Sequence, residues 1–154
     1  MSANERMGWR DEELSRRHRE WGYDCPAVDI DFLMIEYDRS MPKAIIDYKY
    51  WQELFIDRTT ASARALISLA NSAKIPACYV YYSFSNGICQ GLIVHGLNKE
   101  YAPNTYRSPI YLSERMYVSM LYRTIRKREV PDDISDQLSD LVLQAPPSVE
   151  VFKW

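Results

Sequence analysis

The chain has 154 residues, the usual size of one domain, so a single hydrophobic core and no second domain are expected. Hydrophobic residues make up 47% and charged residues 26%, a balance that suits a packed globule and excludes disordered and fibrous classes. With 19 Lys plus Arg against 21 Asp plus Glu the net charge is −2, so the whole molecule is no basic nucleic-acid binder and any polyanion must meet a local patch.

No apolar run approaches the roughly 18 residues of a membrane span, and the first residues, MSANERMGWRDEELSRRHRE, lack the apolar stretch of a signal peptide. A cytoplasmic protein without a membrane partner is therefore expected. Cys25, Cys78 and Cys89 are odd in number and contain no C-x-x-C pair, which points to reduced, mostly buried thiols rather than a disulfide framework or a zinc site.

From Trp9 to Trp21 the residues are charged and helix-favouring, with Gly22 as a stop, and this is read as the first helix. The following stretch, YDCPAVDIDFLMIEYDRSMPKAIIDYKYW, holds two apolar runs around the turn residues DRSMP and predicts a hairpin with strands near Asp29–Tyr37 and Lys43–Trp51. A second helix is predicted over Ile56–Ala73, where Ile56, Ala63, Leu66, Ile67 and Ala70 approach helical spacing before Pro76. Cys78–Phe84 and Ile88–His95 flank Ser85-Asn86-Gly87 and read as a second hairpin. A loop over Lys99–Pro109, a helix over Leu112–Arg128, a short helix within Asp132–Leu143 and an extended tail complete the chain. Strand, crossing helix and strand in succession imply a parallel pairing, hence a mixed central sheet covered by helices.

Two basic clusters stand out. Arg10, Arg16, Arg17, His18 and Arg19 crowd the first helical segment, while Arg123, Arg126, Lys127 and Arg128 close a later one; both read first as solvated helix faces. The set Tyr79, Tyr81, Tyr82 and Phe84 invites a base-stacking reading, but packing explains it better. His95 has no evident partner in the sequence, and two distant histidines do not suggest a zinc site or a hydrolase triad.

The chemistry lies in the first hairpin. Asp47 and Lys49 interrupt the apolar strand AIIDYKYW, and alternation puts both on one face. Burying opposite charges in a strand costs desolvation energy unless they are paired, hydrogen-bonded or bound to a metal. The preceding strand carries Asp29 and Asp31, again on one face. A turn centred near Ser40 places Asp31 opposite Lys49 and next to Asp47, and a bulge could exchange the roles of Asp29 and Asp31. Two such carboxylates offer hard oxygen ligands to Mg²⁺ or Mn²⁺, and the lysine can orient the attacking water or neutralise transition-state charge.

A helix, an Asp at a strand start, Asp-x-Lys in the next strand of a hairpin, then a helix and a strand resemble the PD-(D/E)XK nuclease superfamily, which includes type II restriction enzymes, Holliday-junction resolvases and RecB-type nuclease domains. The resemblance covers about Trp9–Val94. It implies a restriction-endonuclease-like α/β fold with an α-β-β-β-α-β core, a mixed central sheet flanked by helices, and extra C-terminal helices. It also implies Asp31 as first metal-binding Asp, with Asp29 as the other candidate, Asp47 as the second acid and Lys49 as the lysine. An acidic residue on the first helix, Glu20 or Glu13, joins the site in many members, and Gln52 resembles a supporting glutamine. The Pro-Asp pair is absent, since Cys25-Pro26-Ala27-Val28 separates the proline from Asp29.

The implied activity is metal-dependent phosphodiester hydrolysis, first of all by a DNA endonuclease that uses Mg²⁺ or Mn²⁺ and pairs its sites in a homodimer. Arg16, Arg17, Arg19, Arg58 and Arg64 flank the site in sequence and are the expected phosphate contacts. The alternative is a non-catalytic regulator or inhibitor built on the same fold, which a small, mildly acidic chain also suits.

Overall fold

The computed structural model describes residues 13, 16, 17, 20, 21, 30–51, 56–101, 109–144, 152 and 153. The first hairpin joins β1 (Phe32–Glu36) to β2 (Met41–Tyr50), antiparallel. Residues 37–40 form its turn, with the Ser40 N–H donating to the Tyr37 carbonyl at 3.3 Å and Ser40 in the left-handed region at φ 53°. The ladder shifts between Met34 and Ile35, leaving Lys43 as an extra residue on β2. Phe32 therefore faces Ile46 and Leu33 faces Ile45.

The second helix starts later than its apolar spacing suggests. Ile56 and Asp57 form a short strand, β3, which pairs in parallel with β7 (Phe152–Lys153) outside the main sheet. Asp57 then accepts from the Thr59 N–H at 2.8 Å, and the Thr60 hydroxyl caps α1 (Ala61–Ala73) by accepting from the Ala63 N–H at 3.2 Å. Both side chains offer the backbone a partner that a longer helix would have to displace. Lys74 ends α1 in the left-handed conformation.

After α1 the chain enters β4 (Ala77–Ser85), which lies parallel to β2, and returns as β5 (Ile88–Gly96). Asn86 and Gly87 both have positive φ, 51° and 75°, as a two-residue hairpin turn requires. With β6 (Ile110–Leu112) on β5, the five strands stand in the order β1-β2-β4-β5-β6, a mixed open sheet. An α/β architecture with a mixed sheet is thus present.

Helix α2 (Glu114–Ile125) is shorter than the expected 112–128 because Leu112 stays in β6 and the Ser113 hydroxyl caps the helix, accepting from the Met116 N–H at 3.2 Å. Helix α3 (Asp132–Ser135) stops well before Leu143. The segment after it is held by Arg115, whose guanidinium donates to the Ser135 carbonyl, to the Leu138 carbonyl at 3.0 Å and to the Asp140 carboxylate at 2.7 Å.

Alternation divides the core between the two faces of the sheet. On one, Ile45, Ala77, Tyr79, Tyr81 and Ile93 pack against Ala63, Leu66 and Ala70 of α1. On the other, Ala44, Ile46, Cys78, Val80, Cys89, Leu92 and Val94 pack with Tyr117, Met120 and Leu121 of α2. The thiols of Cys78 and Cys89 are free and buried there, and burial pushes the Cys78 thiol up to about 12. Cys25 lies outside the described residues. Gly91, at φ 133°, is where residues 142–143 cross the sheet: a Cβ there would meet the Leu143 backbone nitrogen at 2.5 Å. Among the described residues, no helix is long and apolar enough to cross a membrane.

Candidate functional site

Strand β2 positions the site. Its middle is anchored by Ile45 and Ile46, both almost fully buried, and beyond them Asp47 and Lys49 emerge on the face that carries α1. Because β2 and β4 are parallel, their carboxyl ends lie at the same side of the sheet, the side where open α/β sheets place their ligands. Asp47 lies beside Tyr79 and Lys49 beside Tyr81 in this pairing.

The β1–β2 register decides what meets Asp47. Continued by one residue from Phe32–Ile46, it sets Asp31 directly opposite Asp47. The expected facing of Asp31 and Lys49 is corrected by two residues: the turn occupies residues 37–40 rather than centring on Ser40, and Lys43 is taken up by the bulge. Desolvation raises the Asp31 pKa above the ordinary carboxylate value, and the neighbouring Asp47 carboxylate raises it further. The Tyr48 backbone N–H and the Lys49 charge act in the opposite direction.

The lysine belongs to the same group. Lys49 Nζ stands 3.0 Å from Asp47 Oδ2, and the two side chains keep 34% and 20% of their exposure, enough for solvent or a ligand to reach them. The ammonium also lies over the Tyr79 ring, 5.0 Å from its centroid. Burial, with help from the charges of Asp47 and Asp57, lifts the Tyr79 hydroxyl to about 12, so it stays protonated and neutral beside the acids. The hairpin thus gathers Asp31, Asp47 and Lys49, with Tyr79 forming the floor under the lysine.

The other sequence candidates occupy different surroundings. Glu13 and Glu20 are helical and exposed, and both pair with Arg16; Glu13 lies 2.7 Å from Arg16 and 2.8 Å from Arg17. These arginines drive the Glu13 pKa down. Arg58 turns inward and donates to the Leu97 carbonyl, while Arg64 is exposed on α1. Asp29, Arg19, His18 and Gln52 lie outside the described residues. In the later basic cluster, Arg126 reaches Glu36 at 3.7 Å and Asp38 at 3.6 Å, Arg123 pairs with Glu129, and Arg128 lies over the Tyr122 ring.

The Asp31–Asp47 pair is what this site offers a metal among the described residues. Among the described residues, no group of three or more His, Cys, Asp or Glu side chains is gathered in a way that could hold an ion. Two carboxylates suit Mg²⁺ or Mn²⁺, which retain several waters and need few protein oxygens.

Sequence reasoning passed over two features. The Tyr48 hydroxyl meets the Tyr117 hydroxyl at 2.5 Å on the opposite face, tying the strand that carries Asp47 and Lys49 to α2. Asn98, 3% exposed, fixes the start of β4: it accepts from the Ala77 N–H at 3.0 Å and donates to Asn71 and to the Ile75 carbonyl. Neither could be found by local spacing, because each joins residues 21 or more positions apart. Compared with family models, with curated proteins and with solved structures, the chain matches none.

Proposed function

We propose that this chain is a divalent-metal-dependent nuclease, and first of all a DNA endonuclease, whose site is Asp31, Asp47 and Lys49. The observation that carries the reading is the register that sets Asp31 directly opposite Asp47, two carboxylates face to face, with an ammonium 3.0 Å from one of them. A surface hairpin gains nothing from opposing carboxylates, since like charges across a strand pair are destabilising. A binding site for a cation does.

Asp31 and Asp47 would hold Mg²⁺ or Mn²⁺ by one oxygen or more each. The ion, when bound, supplies Lewis-acid polarisation of a phosphoryl oxygen and eases deprotonation of the attacking water. Asp47 keeps the Lys49 ammonium in place, and the ammonium stabilises the negative charge that builds on the phosphoryl oxygens. The hairpin, α1 and the parallel strand β4 follow one another as in a restriction-endonuclease-like core, which supports the same reading. Glu20 and Asp29 remain candidates for a further ligand, and Arg16, Arg17, Arg19, Arg58 and Arg64 for phosphate contacts.

Calorimetric titration of Mn²⁺ into the protein, beside Asp31→Asn and Asp47→Asn variants, tests the metal part. Binding that is weakened in both variants is expected. Identical titrations for all three proteins would refute it.

A further inference from the structure

On the face of the sheet opposite the acids, five aromatic side chains of the strands are joined by ring contacts that branch at Tyr82. Phe32 meets Tyr48 with centroids 5.0 Å apart, Tyr48 meets Tyr82 at 6.5 Å, and Tyr82 meets both Tyr50 at 6.1 Å and Phe84 at 5.9 Å. Packing does not account for all of it. Tyr79 and Tyr81, on the α1 face, are in the core, whereas Phe32, Tyr50 and Phe84 are 49%, 41% and 53% exposed. Three large rings left half in water, each against Tyr48 or Tyr82, are an apolar patch that calls for a ligand.

The place and chemistry of this ladder select the ligand. Three of its members are chain neighbours of the acidic group: Phe32 follows Asp31, Tyr48 lies between Asp47 and Lys49, and Tyr50 follows Lys49. The Tyr48 hydroxyl is already engaged with Tyr117, so this residue offers its ring rather than its hydroxyl. No member carries a charge, which suits the flat faces of bases and not a duplex approached through its phosphates. Since β1 is the edge of the sheet, a flexible chain needs to pass round only one polypeptide strand to go from Phe32 on one face to Asp31 on the other.

We propose that the ladder Phe32–Tyr48–Tyr82–Tyr50–Phe84 is a stacking platform for unpaired bases, so that the substrate class of this site is single-stranded nucleic acid, held by its bases on one face while a phosphodiester meets Asp31, Asp47 and Lys49 round the β1 edge. The proposal rests on the nuclease reading for what happens to the bound strand. A duplex has its base faces occupied and cannot use the platform.

The test measures fluorescence anisotropy of labelled oligothymidylate, oligouridylate and duplex DNA of equal length with the full chain, in a chelating buffer so that nothing is cut. Single strands should bind at least about tenfold tighter than duplex, and Tyr50→Ala and Phe84→Ala should each weaken single-strand binding about tenfold. Phe84→Trp should keep the affinity, and its emission should be quenched by the bound strand, a signal that mere loss of folding cannot produce. The two oligonucleotides show whether the platform takes DNA, RNA or both, any of which supports it. Duplex bound as tightly as single strand overturns the proposal, and so do ladder variants with unchanged affinity, including variants that lose only self-association or a protein partner. Mn²⁺ titration of the same variants reads the acidic pair separately, so a failed nuclease reading is told apart from a failed platform.

Discussion

Asp31 faces Asp47 across the β1–β2 hairpin, one carboxyl group directly opposite another. Because desolvation and the neighbouring Asp47 raise the Asp31 pKa in the fold, the folded protein holds the Asp31 proton more tightly than the unfolded chain. Its contribution to stability is present at low pH and is lost as pH rises through the folded value. Asp31→Asn removes one of the opposed charges, so it should raise the Tm of the metal-free protein at pH 7. Mg²⁺ at about 100 times its Kd should stabilise the unaltered chain by about 2.7 kcal/mol and the variant by much less. Thermal melts with and without Mg²⁺ check both; a variant that melts lower and still responds fully to Mg²⁺ contradicts the pairing.

His95 titrates with the opposite sign. It is fully buried on β5, and burial, aided by the Arg58 charge, lowers its pKa to about 4. The unfolded chain binds the proton near pH 6.5, where the folded chain does not, so stability is lost as pH falls from about 6.5 towards about 4. Denaturant midpoints measured across this range should decline for the unaltered protein and decline less for His95→Gln. Equal slopes would show that other groups set the acid sensitivity.

The Tyr48–Tyr117 hydroxyl pair should couple the site strand to α2 energetically. Either Tyr→Phe change leaves the other hydroxyl short of its partner in a part-buried place, at a cost of about 1–2 kcal/mol, whereas removing both should cost less than the sum. A double-mutant cycle in urea measures this, and strict additivity would deny the coupling.

Gly91 has no tolerance for a side chain. Its φ of 133° and the Leu143 nitrogen at 2.5 Å from an added Cβ give Gly91→Ala both backbone strain and a clash with main chain. A destabilisation of at least about 2 kcal/mol is expected in denaturant titration. A variant as stable as the original would mean that residues 142–143 do not cross there.

Much of this arrangement was legible in the sequence because it depends on alternation. Period two put Asp47 and Lys49 on one face, and Asn86-Gly87 marked the second turn. The register of the first hairpin was not legible. The turn is centred before Ser40, the extra residue at Lys43 leaves no mark in composition, and together they exchange a carboxylate–ammonium facing for a carboxylate–carboxylate one. Helix limits failed for a related reason: Asp57, Thr60 and Ser113 set where helices begin through side-chain bonds, which apolar spacing does not record. The aromatic set read as packing divides between the faces, with Tyr79 and Tyr81 in the core and Phe84 in water.

The most direct measurement is cleavage of single-stranded and duplex nucleic acids in Mg²⁺ or Mn²⁺ by the unaltered protein, Asp47→Ala and Lys49→Ala, with folding of each confirmed by its melt. Metal-dependent cleavage that falls about 100-fold or more in both variants is the predicted result. Equal cleavage by all three proteins, or cleavage that persists in a chelator, would contradict the assignment of Asp31, Asp47 and Lys49.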